Sequence, residues 1–134
     1  MRARILFGIA LICVAGPALA IGFGPLRKDG VVAGPSKAFY LTILNPYDQP
    51  TEFVAYPVAE DSEVPEEGVR VVPGRLTLAS GQSRRIVVVA DNLEVGVIRR
   101  FRVCAERADE PEGVSIHARV CSRLGARRIP APHG

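Results

Sequence analysis

The sequence has no tryptophan, one methionine and two histidines, and its aromatic content is 6%. So thin an aromatic supply promises only a modest core, because Phe, Tyr and Trp bury the largest areas. The histidines, His117 and His133, and three cysteines with no C-x-x-C spacing leave no ligand set for a zinc or redox centre. There is no G-x-S-x-G elbow or other nucleophile constellation. His117 falls on a strand's outer face and reads as solvated. An enzyme is therefore not expected, and neither a cofactor nor a metal is called for.

Long apolar runs are also missing, with one exception at the start. Met1-Arg2-Ala3-Arg4 is a short basic opening, Ile5 to Ala15 is apolar, and Ala18-Leu19-Ala20 is a small-x-small ending. These are the three parts of a secretory signal peptide. The apolar stretch falls short of the roughly 20 residues that span a bilayer. Cleavage is expected after Ala20, with no stable membrane span afterwards. Cys13 lies inside the apolar run behind Ile12, not at its end behind a small residue, so it does not read as a lipid acceptor.

Cleavage changes the charge balance. Loss of Arg2 and Arg4 takes Lys+Arg from 17 to 15 against 14 acids, so +3 becomes +1. The remaining arginines lie among acids without interleaved aromatics, which argues against nucleic acid as a partner. Export also places Cys104 and Cys121 in an oxidising compartment, where an even pair usually forms a disulfide.

No window keeps a 3.6-residue period. Alternating β-branched runs recur between Gly, Pro, Asn and Asp, as in an all-β sandwich or barrel. Residues 1–20 are the leader, 21–35 a flexible segment with at best an edge strand near Val31-Val32, 36–130 the sandwich and 131–134 a tail. Strands are expected at Lys37–Leu44, with Phe39, Leu41 and Ile43 on one side, and at Glu52–Ala59. Val69–Val72 is broken by Pro73-Gly74 and resumed by Leu76–Leu78. Further strands follow at Arg84–Val89, Ile98–Ala105 and Val114–Leu124. Glu60–Gly68, with five acids, reads as a solvated loop that lacks the spacing of a calcium site.

The last two strands fix a testable register. Cys104 and Cys121 both fall on the polar face of their strands. If they face each other, Glu106 meets Arg119 and the turn centres near Glu112-Gly113. Such a link closes a loop of about 18 residues, worth about 3 kcal/mol on the chain-entropy model.

Two stretches carry a resemblance. Val32-Ala33-Gly34-Pro35-Ser36-Lys37-Ala38-Phe39-Tyr40-Leu41-Thr42-Ile43-Leu44-Asn45 is similar to the opening of the N-terminal domain of periplasmic pilus-assembly (PapD-like) chaperones. Val71 to Val88, with Pro73 breaking a strand and Gly81-Gln82 turning into a basic-apolar one, resembles the family's central motif. The likeness covers Val31 to Pro130, and major-sperm-protein domains share the Pro and Gly-Gln pattern.

The resemblance implies an immunoglobulin-like seven-strand β-sandwich, here a single-domain variant. It implies a protein that assists pilus or surface-fibre subunits by strand-edge contacts, with an outer-membrane usher as a further partner. Val114, Ile116, Ala118 and Val120 are then the subunit-binding strand, unless they face the domain's own core. Arg27, Lys28, Arg119 and Arg123 are the candidates for anchoring a subunit's carboxylate. A link between the last two strands also resembles the disulfide of the family's long-loop branch. The alternative function is a structural or adhesive immunoglobulin-like module of the cell envelope.

Overall fold

A computed structural model of the chain describes residues 21–108 and 118–132. Among these, nine strands run in chain order: β1 (Gly22–Gly24), β2 (Arg27–Val32), β3 (Lys37–Leu44), β4 (Thr51–Ala59), β5 (Val69–Val72), β6 (Arg75–Leu78), β7 (Ser83–Ala90), β8 (Ile98–Arg107) and β9 (Arg119–Arg128). A four-stranded sheet has the order β1-β3-β7-β5 and a five-stranded sheet the order β2-β9-β8-β4-β6. All pairings are antiparallel except β2 with β9.

Strict alternation builds the core. Phe39, Leu41 and Ile43 of β3 and Ile86, Val88 and Ala90 of β7 point inward from the first sheet. Phe53 and Ala55 of β4, Phe101, Val103 and Ala105 of β8, and Leu124 and Ala126 of β9 answer from the second. Phe39 and Phe101 meet edge to face across the sandwich, with ring centroids 6.3 Å apart. Two opposed faces of period-two strands thus bury one layer of side chains, as expected for an immunoglobulin-like sandwich.

Three expectations need correction. Residues 21–35 are not a flexible leader with one edge strand: they form β1 and β2, on different sheets. Ile21 and Phe23 are buried in the core, so the sandwich begins at the start of the described chain and not at residue 36. Four glycines obscured this, because a strand of three residues shows almost no alternation.

Pro73-Gly74 does not interrupt a single strand. β5 lies in the four-stranded sheet and β6 in the five-stranded one, so the chain crosses between layers there. Gly24-Pro25 plays the corresponding part between β1 and β2. Counted as chain passes, with β1–β2 and β5–β6 each taken as one, the nine strands make the seven of the expected sandwich.

The last strand also continues to Arg128, past the expected end at Leu124. Its expected beginning, including Val114, Ile116 and His117, lies outside the described residues, as do the Glu112-Gly113 turn, His133 and the leader with Cys13. Among the described residues no helix is long and apolar enough to cross a membrane.

Candidate functional site

The register of β9 creates an asymmetry along its length. Against β8 it is paired from Arg119 to Arg127, with Cys104 opposite Cys121 and Glu106 opposite Arg119. Against β2 it is paired only from Arg123 to Arg128. Among the described residues, Arg119 to Ser122 therefore have a neighbouring strand on one side alone. This open half ends where the Arg123 amide donates to the Leu26 carbonyl at 2.8 Å and the Ser122 hydroxyl donates to the Pro25 carbonyl at 2.5 Å.

The direction of the Arg123 amide identifies which backbone groups line the open edge. Successive peptide groups of a strand point to alternate sides, so the Arg119 and Cys121 N–H and C=O groups point the same way as those of Arg123, away from β8. Residues 104 and 121 form a non-hydrogen-bonded pair with close Cα atoms, and the disulfide between them spans 4.0 Å Cα to Cα. An unpaired row of donors and acceptors is a template for an additional strand.

The side chains of the open half divide by face. Ala118 is exposed, whereas Val120 is half-buried and packs on this domain's own core, followed by buried Ser122, Leu124 and Ala126. The alternating apolar face of β9 thus supplies the sandwich interior, and what it offers outward is its backbone edge. Cys104 is fully buried although it lies on the pleat facing away from the core, in register with Tyr56 on one side and Cys121 on the other. Its expected place on a polar outer face holds only as a direction.

The four basic candidates separate. Arg27 and Arg123 are register partners on adjacent strands and line one cleft with Arg100, Asp29, Glu60 and Phe101. Among the described residues neither guanidinium has a hydrogen-bond or ion-pair partner, whereas Arg100 is paired with Asp29 at 3.5 Å. Lys28 is in register with Leu124, one position off, and is not among the cleft-lining residues.

Arg119 is already engaged. It donates to both Glu63 carboxylate oxygens, at 2.5 and 2.9 Å, and to the Tyr56 hydroxyl at 3.4 Å. Arg102 donates to the same Glu63 at 3.2 Å and to the Ala59 and Ser62 carbonyls. Arg99 holds Glu66 at 3.2 Å and the carbonyls of Glu67 and Asp91. The acidic loop is largely exposed, as expected, and is also held at two points: Arg102 and Arg119, on the outward pleat of β8 and β9, bind Glu63, and Arg99, on the opposite pleat of β8, binds Glu66. Pairing of Glu with Arg across 33 to 56 residues leaves no local pattern in the sequence. Gly68, with φ +73°, lies where a Cβ would come within 3.0 Å of the Arg99 guanidinium.

Arg119 first, then Arg102, hold the Glu63 carboxyl down from 4.5 to about 2, and Glu63 in turn raises Arg119. Because the folded value is the lower one, the contribution to stability is complete above pH 4.5 and disappears as pH falls through about 2. The thermal midpoint is therefore expected to fall between pH 4.5 and 2, and Glu63→Gln to flatten that fall. Equal slopes for the two proteins in this window would contradict the assignment. Glu63 is 62% exposed, so the effect should shrink in high salt.

No family model matches the chain, and no curated protein does either. Solved structures do. The E. coli chaperone DraB matches with TM-score 0.64 and 23% identity over 86% of this chain and 57% of its own. A structure of Salmonella enterica SafA pilin in complex with the SafB chaperone matches with TM-score 0.68 and 18% identity, over 85% and 57%. The PapD-like domain 7 of human CEP192 matches with TM-score 0.62 and 12% identity, over 98% of this chain and all of that one. The chain has the PapD-like immunoglobulin fold. It spans a little over half the length of the chaperone chains it matches.

Proposed function

We propose that the chain is a periplasmic chaperone-like protein that assists the folding and assembly of pilus or surface-fibre subunits through strand-edge contacts. The observation that carries this reading is the open half of β9, whose outward backbone groups have no neighbouring strand among the described residues and end beside the Arg27–Arg123 pair. A subunit that lacks one of its own strands exposes a sheet edge and a groove. Addition of that edge along Arg119–Ser122 would satisfy both sets of backbone groups at once.

Arg27 and Arg123 suit a terminal carboxylate, since two guanidiniums without a partner among the described residues can each donate in fork geometry to one anion. Export by the leader, an oxidising compartment that forms Cys104–Cys121 and an outer-membrane usher as the receiving partner belong to the same proposal. DraB and SafB are chaperones of this fold, and SafB is seen holding a pilin.

Co-purification with a subunit deprived of its last strand tests the reading. The complex should form, and Arg27→Ala with Arg123→Ala should weaken it by about tenfold or more, as expected for losing charge-assisted hydrogen bonds of roughly 1.5–3 kcal/mol. Unchanged affinity in the double variant would remove the carboxylate anchor from the proposal.

A second reading has its own support. The human CEP192 domain, which matches this chain from end to end, is one PapD-like domain of a larger protein. A structural or adhesive module of the envelope would sediment with cell-surface material, whereas a chaperone stays in the soluble periplasmic fraction.

A further inference from the structure

The end of the sandwich away from the open half of β9 carries an exposed aliphatic cluster. Val31, Ile98 and Arg127 lie side by side on β2, β8 and β9, with Arg127 between the other two. Val31 is 59% exposed and Ile98 47%. Val97, 52% exposed, lies beside Ile98 along the same depression. Aliphatic side chains gathered in this way mark a contact surface more often than isolated ones do.

Two depressions meet at Ile98. One is lined by Val31, Gly30, Gly125 and Arg127, and the other by Val97, Leu93, Glu94 and Glu60. Ile98 and Arg100 line both, so they form one groove with Ile98 at its middle. Apart from the residues already in ion pairs, Arg100 with Asp29 and Arg99 with Glu66, the charges are sorted along it: Arg127 on one side of Ile98, Glu60 and Glu94 on the other. Among the described residues, Arg127, Glu60 and Glu94 have no hydrogen-bond or ion-pair partner for their side chains, while Arg100 is neutralised by Asp29.

This arrangement selects its occupant. A ligand of one sign would match half of the groove and be repelled by the other half. A second copy of the same chain, related by a two-fold axis through Ile98, would set each cationic lobe against a carboxylate lobe and cover Ile98 with Ile98. Self-complementarity of this kind is what an isologous two-fold interface requires, and opposed charges around an apolar centre fix its register.

We infer that the chain forms a two-fold dimer through this groove, with Ile98 at its centre and Arg127 of each copy facing Glu94 of the other. The interface lies away from the open half of β9 but shares Glu60 and Arg100 with the Arg27–Arg123 cleft, so a dimer would narrow access to that cleft; its test below reads association of the chain with itself and does not depend on subunit capture.

Sedimentation velocity of the purified chain over a range of concentrations tests it. The chain should pass from monomer to dimer, and Ile98→Glu, at an exposed first position of β8, should weaken the dimer by at least about tenfold, as a central contact does. Glu94→Arg and Arg127→Glu should each weaken it, and the two together should restore it to near the original strength. A chain that stays monomeric at every concentration would overturn the inference, as would a dimer indifferent to Ile98→Glu. So would a double charge reversal no stronger than either single one, which also protects the test if Ile98→Glu perturbs folding.

Discussion

Replacing Asn45 by alanine is expected to destabilise the domain by about 3 kcal/mol, several hydrogen bonds' worth, and to lower its melting midpoint by roughly 12 °C. Asn45 is one of the few buried polar residues among those described, and its solvent exposure is 0%. Its amide donates to the carbonyls of Gln49 at 3.0 Å, Leu78 at 3.0 Å and Ala79 at 3.2 Å, and its side-chain oxygen accepts from the Tyr47 amide at 2.9 Å. Its backbone is bonded to the second turn as well, donating to Gln82 and accepting from Gly81.

One side chain thus fastens the β3–β4 turn to the β6–β7 turn. Alanine leaves the Leu78 carbonyl and the Tyr47 amide without this partner, while the Gln49 and Ala79 carbonyls keep donors from the Thr51 hydroxyl and the Gln82 amide, and each orphaned group costs about 1–3 kcal/mol. Asn45→Asp separates the two halves of the contact, because it keeps the acceptor for Tyr47 and turns the donor side into a carboxylate facing carbonyl oxygens. Urea titration should rank the proteins wild type, then both variants well below. An aspartate variant as stable as wild type would show that the donated bonds contribute nothing.

The second large effect is the loss of the Cys104–Cys121 bond. Substituting both by alanine should cost about 3 kcal/mol through the freed unfolded chain, out of a typical total of roughly 5–15 kcal/mol. The location matters as much as the size. Cys121 belongs to the half of β9 that has β8 as its one neighbouring strand among the described residues, so the bond pins the proposed binding edge to the sheet. Reduction should therefore lower the melting midpoint and weaken subunit capture together. A midpoint unchanged by reductant would refute the stabilising role, and capture unaffected by a lowered midpoint would refute the local one.

Much of the fold is legible in the sequence itself. Lys37–Leu44 has the boundaries of β3, and its alternation predicted the inward face of Phe39, Leu41 and Ile43. The Cys104–Cys121 register and the facing of Glu106 and Arg119 followed from counting along two strands. These features obey short-range periodicity, and periodicity is what a sequence displays directly.

What escaped the sequence is non-local. β1 is too short to show a period, and the parallel pairing that sets Arg27 beside Arg123 joins residues nearly a hundred positions apart. Among four equivalent-looking basic candidates, nothing local could say that Glu63 occupies Arg119 while Arg27 and Arg123 share a cleft. The period-two pattern of Val114 to Val120 was visible, but for Val120 it reflects the domain's own interior, and the backbone edge leaves no mark in composition. The proposed site depends on where a strand's neighbour stops, and that is a property of the assembled sheet.

The most direct measurement is amide hydrogen exchange on the chain alone and in complex with a subunit lacking its last strand. The Arg119 and Cys121 amides face the open edge, so they should exchange rapidly in the free protein and slow markedly in the complex, with the edge strands β5 and β6 unchanged. Protection that appears on β5, β6 or a sheet face while Arg119 and Cys121 continue to exchange freely would contradict capture through the open half of β9.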